Sequence, residues 1–382
     1  MSATAPAALV VTHEVGTLGE HPNLLVHGDC LDAMAALRGD PACDGAVRLA
    51  YVDPPFNTGE RFADFHDAMD RGTWLAAMAE RLRAAWGMLR PDGTLWVHCD
   101  DSEQAALRVL MDDLFGRPSF VATVVWQRRY SRENRRAFST AHDYLHVFAP
   151  AGHEWKHHRN RLPRNDRPGT WRNGDGDPRG HWSTVSLVAQ GGHGTKDQFY
   201  AITLPSGRVV EPPSGSCWRV TREKFAALER DGLIWSGPDG DNVPRRKVFR
   251  GDAQGLVPST WWTHREAGHN AEANAELRRL FPGARPFSTP KPERLMARIV
   301  AIASDPGDLV LDPFLGSGTT AAVAHKAERR WIGIESSTRT LEQYAEPRLR
   351  AVLEGRDPGG VTGTLAWTGG GGFLVATCPP AS

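Results

Sequence analysis

The chain has 382 residues, 40% of them hydrophobic, and 45 basic against 45 acidic side chains, so its formal net charge is zero. These values predict a substantial folded core, and no apolar stretch reaches the roughly 18 residues that a membrane span needs. The five cysteines lack the paired spacing of zinc sites and disulfide frameworks. We therefore expect a cytoplasmic protein with no metal site and no membrane contact.

Short apolar runs alternate with helical patterns in the first part of the chain and again towards its end. The runs predict strands at 24–27, 49–52, 94–98, 121–126, 144–148, 309–311 and 331–334. Spacings of three and four residues predict one helix face from Trp74 to Leu89 and another from Leu107 to Leu114, the second after a cap at Ser102. This alternation indicates an α/β fold with a doubly wound sheet, in which ligands bind at the carboxyl ends of strands.

The sequence Asp53-Pro54-Pro55-Phe56 follows the apolar run 48–52. Proline has a fixed φ and no N–H to donate, so the Asp53 carboxylate and the Pro54 carbonyl are two acceptors that can face one NH₂ group. Phe56 offers a flat surface for an aromatic ring that carries this amine. These four residues alone are equally consistent with a turn that ends a buried strand, so the choice depends on a second motif.

Residues 128–172 contain 11 basic and four acidic side chains, although the whole chain is neutral. A solvated basic face is the simpler interpretation of such a stretch. Because aromatic residues such as Tyr130, Trp155 and Trp171 interleave with the basic ones, beside a motif for a base-bearing ligand, the pattern favours a nucleic-acid groove. From 151 to 285 glycine, proline, arginine and tryptophan replace the regular α/β pattern, and apolar anchors between Trp218 and Trp235 predict a small irregular domain.

The predicted strand 309–311 leads into a glycine-rich turn, Asp312-Pro313-Phe314-Leu315-Gly316-Ser317-Gly318-Thr319-Thr320, and a helix of small residues at 321–327. Gly316 and Gly318 allow the backbone to approach a ligand closely, and the start of the helix offers free N–H groups. The third glycine of the dinucleotide pattern is absent, so a pyrophosphate is not required. Glu335 ends the next predicted strand, where a carboxylate typically holds ribose hydroxyls. A nucleoside is the ligand that this pattern predicts.

The two motifs together resemble those of the amino-methylating DNA methyltransferases that use S-adenosylmethionine. Asp53-Pro54-Pro55-Phe56 precedes the glycine-rich turn by about 260 residues, which is similar to the permuted β-group of that family. The stretches 23–31, 141–148 and 287–295 resemble further family motifs, so the resemblance runs from about residue 23 to about residue 350. Modification subunits of type III restriction systems and smaller stand-alone adenine methyltransferases look most similar, through 53–59 and 268–270.

This resemblance implies a Rossmann-like methyltransferase sheet in permuted motif order with an inserted, irregular target-recognition domain. The expected organisation is a tail at 1–22, a catalytic half at 23–150, the insertion at 151–285, a cofactor-binding half at 286–350 and an extension at 351–382. The implied cofactor is S-adenosylmethionine and the implied partner is double-stranded DNA. A homodimer and a restriction subunit stay open as further partners.

The resemblance also implies roles for individual residues. Asp53, Pro54, Pro55 and Phe56 are the expected catalytic residues, and Phe56 and Tyr144 are expected to stack on the target base. The expected cofactor-binding residues are Asp29, Phe287, Lys291, Asp312, Phe314, Gly316, Ser317, Gly318, Thr319, Thr320 and Glu335. The expected DNA-binding residues are Arg128, Arg129, Arg132, Arg135, Arg136, Arg159, Arg161 and Arg164. Asp29 is equally consistent with the N-cap of a helix at 31–37.

The expected activity is methylation of N6 of a flipped adenine at a specific DNA site. Asp at position 53 favours adenine by resemblance, because the group with Ser-Pro-Pro usually acts on N4 of cytosine; the physical argument does not separate these two amines. A nicotinamide-dependent oxidoreductase is disfavoured by the missing third glycine. A DNA-binding protein with a decayed methyltransferase fold is disfavoured because Asp53, Phe56, Gly316 and Gly318 are intact.

Overall fold

The structure is a computed structural model that describes residues 8–59, 69–133, 137–164, 166–285 and 287–379. It divides into two compact units: Met1–Asn160 with Pro258–Ser382 form the first unit, and Arg161–Val257 form the second. The second unit is shorter than the insertion expected at 151–285. Residues 151–160 and 258–285 pack with the first unit, where Trp155 and Trp262 are buried.

The structure contains strands in both units. Those before the second unit are β1 (Val10–Gly16), β2 (Asn23–His27), β3 (Val47–Val52), β4 (Leu89–Cys99), β5 (Phe120–Trp126) and β6 (Asp143–Phe148). The second unit has β7 (Trp182–Ser186), β8 (Val188–Gln190), β9 (Ile202–Thr203), β10 (Val209–Val210), β11 (Ser216–Trp218), β12 (Ile234–Trp235) and β13 (Arg245–Phe249). After it come β14 (Trp261–Trp262), β15 (Leu309–Asp312), β16 (Arg330–Glu335) and β17 (Gly372–Thr377).

The strands of the first unit form one ten-stranded sheet in the order β1-β17-β2-β16-β15-β3-β4-β6-β5-β14. The strands from β17 to β4 in this order pair in parallel, whereas β6 is antiparallel to both β4 and β5. In this central part β15 lies between β3 and β16. The carboxyl ends of these three parallel neighbours therefore meet at the same edge of the sheet.

Helices connect these strands. In chain order they are α1 (Cys30–Leu37), α2 (Arg71–Gly87), α3 (Gln104–Phe115), α4 (Arg222–Arg230), α5 (His264–Ala267), α6 (Asn270–Leu280), α7 (Glu293–Ala303), α8 (Thr319–Lys326), α9 (Thr338–Thr340) and α10 (Glu346–Leu353). A π-helical turn, Leu341–Ala345, joins α9 to α10. Of these helices α4 belongs to the second unit.

Helices cover both faces of the parallel strands. Met34 of α1, Met78 of α2 and Leu107 of α3 share one apolar core with Leu311 of β15. Because successive side chains of a strand point to opposite faces, Val310 faces the other side, where α8 packs on β15 and β16 and α7 lies against β3. This arrangement is the doubly wound, Rossmann-like architecture that the alternation of strands and helices predicted.

Two local predictions were wrong. The helix face expected to reach Leu89 ends with α2 at Gly87, and Leu89 begins β4. Ser102 does not cap α3, because Glu103 is its N-cap residue and makes no side-chain cap bond. β17, which follows the glycine run 369–372, lies inside the sheet, since it pairs with both β1 and β2. The strand at this edge of the sheet is β1, which lies inside the segment expected to be a tail.

The second unit has its own small core. Leu187, Ile202, Leu204, Trp218 and Phe225 pack together in it, around short antiparallel strand pairs and α4. Trp218 and Phe225 are among the apolar anchors that predicted an ordered irregular domain between 151 and 285. In the part of the chain that the structure describes, no helix has the length and apolar character needed to span a membrane.

Candidate active site

The first expected motif lies at the end of a completely buried strand. All six residues of β3 are buried, and Asp53-Pro54-Pro55-Phe56 follows directly. The Trp74 indole of α2 donates a hydrogen bond to the Pro55 carbonyl at 2.9 Å, which fixes the course of the chain after the strand. Proline ends the strand because it has no N–H for the sheet. The Asp53 side chain is thereby held at the carboxyl edge.

The second expected motif follows the neighbouring strand β15. Gly316 and Gly318 have φ values of 54° and 81°, in the left-handed region that favours glycine. A Cβ on Gly316 would lie 3.3 Å from the Phe287 ring, and one on Gly318 would lie 3.3 Å from the Ala345 backbone. The glycines therefore allow both the sharp turn and its close packing against two other segments.

Glu335 at the end of β16 is bonded to this turn. Its carboxylate accepts hydrogen bonds from the Gly316 and Ser337 amides at 2.9 and 2.7 Å. Burial raises the pKa of Glu335 above its ordinary value, while these amides act in the opposite direction. Glu335 thus holds the glycine-rich turn in place, a role that its position in the sequence did not reveal.

The ends of β3, β15 and β16 border one cavity of about 720 Å³ within the first unit. Among the expected catalytic and cofactor-binding residues, those that line it are Asp29, Asp53, Pro54, Pro55, Phe56, Phe287, Lys291, Asp312, Phe314, Gly316, Ser317, Thr319, Thr320 and Glu335. Gly318 and Tyr144 do not belong to the lining. Gly318 packs against Ala345 instead, and the Tyr144 hydroxyl donates a hydrogen bond to Asp101 at 2.8 Å.

The two carboxylate oxygens of Asp53 differ in burial and in hydrogen bonding. Oδ2 accepts a hydrogen bond from Lys291 Nζ at 2.5 Å, and this ammonium lies 5.3 Å from the centre of the Phe56 ring. Oδ1 is buried, has no hydrogen-bond partner among the described residues, and lies 3.8 Å from Nδ1 of His98. Lys291 was expected to contact the cofactor, whereas its ammonium is bonded to the expected catalytic carboxylate.

A buried polar chain runs beneath Asp53. The Tyr51 hydroxyl lies 2.8 Å from Nδ1 of His98, Nε2 of His98 lies 3.3 Å from Asp143, and Asp143 forms an ion pair with Arg128 at 2.8 Å. Burial lowers the pKa of His98 to about 3, so its imidazole is neutral at pH 7. The consistent assignment has Tyr51 donating to Nδ1 and Nε2–H donating to Asp143.

Tyr51, His98 and Asp143 were not among the residues expected at the site. Tyr51 and His98 lie in predicted strands, and nothing in an apolar run marks which polar members will meet. Arg128 was expected to bind DNA, yet its guanidinium is paired with Asp143 and lines the cavity. His98 could have been identified from its position at the end of a predicted strand, because that places it at the same sheet edge as Asp53.

Asp312 is a buried carboxyl group in the cavity wall. It accepts a hydrogen bond from the Phe314 amide at 2.9 Å. Burial raises its pKa to about 7, the hydrogen bonds from Thr320 and Phe314 act in the opposite direction, and the charges of Asp53 and Glu335 raise it further. A cation placed in the cavity would therefore be stabilised by several carboxylates.

Asp29 is the N-cap residue of α1, which was one of the two roles expected for it. Its side chain accepts a hydrogen bond from the Leu31 amide at 2.8 Å, and it forms an ion pair with Arg81 at 2.9 Å. Because Asp29 also lines the cavity, capping and contact with a ligand are compatible. The ligand contact stays a prediction.

The expected DNA-binding arginines are divided between the two units. Arg128 and Arg129 line the cavity, and Arg132 is exposed in the same unit. Arg161 and Arg164 belong to the second unit, where Arg164 pairs with Asp166 at 3.1 Å. Arg159 is among the last residues of the first unit before the boundary. Arg135 and Arg136 lie outside the described residues.

Comparison with known proteins identifies the family. Residues 47–346 match the family model of the N6 and N4 DNA methylases. The chain is 29% identical over 81% of its length to the type III restriction-modification enzyme StyLTI Mod subunit of Salmonella typhimurium, and 26% identical over 96% to the probable HindVI Mod subunit of Haemophilus influenzae. It is 30% identical over 76% of its length to the type II methyltransferase M.EcaI of Enterobacter cloacae.

The chain spans 51%, 55% and 62% of these three relatives, so about half to three-fifths of their length. The family model covers both expected motifs, the strands β3, β15 and β16, and the whole second unit. The match therefore includes every element that borders the cavity except the segment around Asp29. The chain belongs to the DNA methylase family.

Proposed function

We propose that this chain is a site-specific DNA methyltransferase that transfers a methyl group from S-adenosylmethionine to N6 of a flipped adenine. The observation that carries the proposal is the shared cavity at the ends of β3 and β15. One wall of it holds Asp53 and Phe56, and another holds the glycine-rich turn. An acceptor for an amine and a cradle for a nucleoside thus face the same space. An enzyme acting on cellular DNA would work in the cytoplasm.

The residues of the cavity fit S-adenosylmethionine by charge, and the cavity fits it by volume. The cofactor carries a sulfonium and an ammonium group, and the carboxylates of Asp53, Asp312 and Glu335 line the space. Because burial raises the pKa of Asp312, a bound cation would relieve the cost of its ionisation. The volume of about 720 Å³ is in the range of small-molecule sites.

We assign the cofactor to the turn from Gly316 to Thr320 and to the segments around it. Glu335 would hold the ribose hydroxyls, Asp29 the adenine amine, and Phe287 would pack beside the nucleoside. When bound, S-adenosylmethionine supplies a methyl group that its sulfonium makes electrophilic. The chain's own residues then contribute position and charge.

The target amine is a poor nucleophile because its lone pair is delocalised into the adenine ring. The Asp53 carboxylate and the Pro54 carbonyl would accept hydrogen bonds from its two N–H groups, which turns the lone pair towards the methyl group. The Asp53 carboxylate would also stabilise the positive charge that develops on the amine. A base inside a duplex does not reach this socket, so the target flips out at a cost of a few kcal/mol, offset by stacking on Phe56.

DNA binding is assigned to the exposed basic residues and to the second unit, for which we propose the role of target recognition. A family model and relatives named as type II and type III modification enzymes support DNA as the substrate. Adenine is preferred to cytosine by resemblance, because position 53 is Asp and the group with Ser-Pro-Pro usually acts on N4 of cytosine. Cytosine N4 is the second candidate, because its amine offers the same two N–H bonds to Asp53 and Pro54.

Expression in a bacterial host without DNA methylation, followed by methylation-sensitive sequencing of the host genome, tests this proposal. We expect N6-methyladenine at one short sequence and none when the chain carries Asp53→Ala. Methylation of cytosine N4 at a specific sequence would support the second candidate. An unmodified genome, with the chain present and folded, would contradict both.

A further inference from the structure

Lys291 donates a hydrogen bond to the one oxygen of Asp53 that faces the cavity. Oδ1 is buried against His98 and has no accessible surface of consequence. Asp53 lines the cavity and its side chain is 16% exposed, so the oxygen left to face the cavity is Oδ2. Oδ2 already accepts a hydrogen bond from Lys291 Nζ at 2.5 Å.

The same ammonium lies near the ring on which a base would stack. Lys291 Nζ is 5.3 Å from the centre of the Phe56 ring, within the range of a cation–π contact. The Lys291 side chain is only 11% exposed, so its position is set by packing as well as by charge. In the protein alone, Lys291 therefore takes the positions of two of the three contacts that the proposed function assigns to the target base, those at Asp53 and Phe56.

A buried carboxylate without a counter-charge is costly, and this explains why a cation is present in the socket. Burial lowers the pKa of His98 and raises that of Asp143 to about 6, and the charge of Lys291 lies close enough to act on both in the lowering direction. A hydrogen bond from an amine to the same oxygen would replace one charge-assisted bond by another. The binding free energy gained when the base enters is then smaller than its own contacts would provide, because the bond between Lys291 and Asp53 is lost.

We propose that Lys291 is a resident competitor of the target amine: it holds Oδ2 of Asp53 in the free enzyme and is displaced when the target base enters. The inference rests on the proposed function, because it requires an amine-bearing base at Asp53. Removing the ammonium should strengthen binding of a target that carries the amine. It should not strengthen binding of the same target without the amine.

The test uses duplexes of the recognition sequence with either adenine or purine, which lacks the amine, at the target position. Affinities are measured with S-adenosylhomocysteine present, so that no methyl transfer occurs. The proteins are the wild type, Lys291→Met, which keeps most of the apolar stem, and Lys291→Arg, which keeps a cation. Asp53→Asn with and without Lys291→Met completes the set.

We expect Lys291→Met to bind the adenine duplex about tenfold more tightly than the wild type does, a difference in binding free energy on the order of one hydrogen bond to a charged group. Lys291→Met should bind the purine duplex with the wild-type affinity. Lys291→Arg should retain the wild-type ratio of the two affinities. When Asp53 is replaced by Asn, Lys291→Met should no longer change the ratio of the affinities for the adenine and purine duplexes. The reason is that the carboxylate for which Lys291 and the amine compete is absent.

Equal changes on both duplexes, or an affinity loss confined to the adenine duplex, would overturn the inference; the second result would mean that Lys291 assists the amine. Thermal unfolding and cofactor titration establish that each variant is folded. Wild-type methylation of the adenine duplex is measured first. Failure of the proposed function would appear as no methylation by the wild type, whereas failure of the inference would appear as an unchanged affinity ratio in a methylating enzyme.

Discussion

The Gly316 amide donates a hydrogen bond to the Glu335 carboxylate at 2.9 Å. Glu335 therefore joins two segments that follow different strands, the turn after β15 and the end of β16. The Ser337 amide donates to the other oxygen of the same carboxylate at 2.7 Å. Cofactor binding should depend on Glu335 through the shape of the turn as well as through direct contact.

Glu335→Ala should weaken binding of S-adenosylmethionine by at least about tenfold, because the Gly316 and Ser337 amides lose their acceptor. Glu335→Gln should weaken it less, since one carbonyl oxygen remains. Calorimetric titration of the cofactor measures both. Glu342→Ala, which removes an exposed carboxylate nearby in the chain, is the matched control. Wild-type affinity in Glu335→Ala would refute this role.

Asp312 should make stability fall as the pH rises. Burial raises its pKa in the folded protein to about 7, against about 3.9 in an unfolded chain. The folded state therefore binds the proton more tightly, and its contribution to stability is complete below pH 4 and is lost as the pH rises through 7. Between pH 5 and 8 this loss is on the order of 2–3 kcal/mol.

Asp312→Asn keeps an acceptor for the Phe314 amide and removes the titration. Urea unfolding of the wild type and this variant at pH 5 and pH 8 measures the difference. We expect the wild type to lose more unfolding free energy than the variant over this range. Equal losses in the two proteins would show that Asp312 does not titrate there.

Lys326 should contribute strongly to the stability of the first unit. Its side chain is fully buried and donates to Glu293 at 2.8 Å and to Asp357 at 2.6 Å. Lys326→Met would leave the buried Asp357 without its ionic partner and Glu293 with Arg348 alone, at a cost of about 3–5 kcal/mol of unfolding free energy. Arg356→Met, at an exposed ion pair with Glu354, should change stability little. Denaturant titration compares the two, and similar small changes would contradict the prediction.

The basic residues around the boundary of the second unit should contribute to DNA binding. Neutralising Arg159, Arg161 and Arg164 to Gln should weaken binding and reduce the slope of its salt dependence, by about 0.9 on logarithmic axes for each phosphate that is no longer neutralised. Cofactor affinity should stay the same. Binding is measured on cognate and scrambled duplexes at several salt concentrations.

The control for this triple variant removes three exposed arginines elsewhere in the first unit, at Arg83, Arg278 and Arg356. The control should change the salt slope less than the triple variant does. A weakening confined to the cognate duplex would indicate hydrogen bonds to bases, of about 1–3 kcal/mol each. Equal slopes for the wild type and the triple variant would mean that these arginines form a solvated face.

The sequence predicted the features that depend on local pattern. Apolar runs located β3, β15 and β16, and the position of Asp53 and of the glycine-rich turn directly after two of them predicted that both lie at one sheet edge. Parallel pairing then brings them together, since ligands of such sheets bind at the carboxyl ends of strands. The doubly wound architecture followed from the same alternation.

Contacts between side chains far apart in the sequence were not predictable in this way. Lys291 and Asp53 are separated by 238 positions, and their pairing depends on how the segment before α7 packs against the end of β3. His98 looks like any polar member of an apolar strand until its neighbours Tyr51 and Asp143 are known. Local propensity also does not reveal that β17 inserts between β1 and β2.

The most direct test of the account is methyl transfer by the purified chain and by Asp53→Ala, with labelled S-adenosylmethionine, double-stranded DNA and mass spectrometry of the digested nucleosides. Asp113→Ala, at an exposed carboxylate of α3, is the control. We predict labelled N6-methyldeoxyadenosine with the wild type and the control, and none with Asp53→Ala, which should still bind the cofactor because the glycine-rich turn is intact. Methylation by Asp53→Ala at the wild-type rate would contradict the central claim that Asp53 holds the target amine.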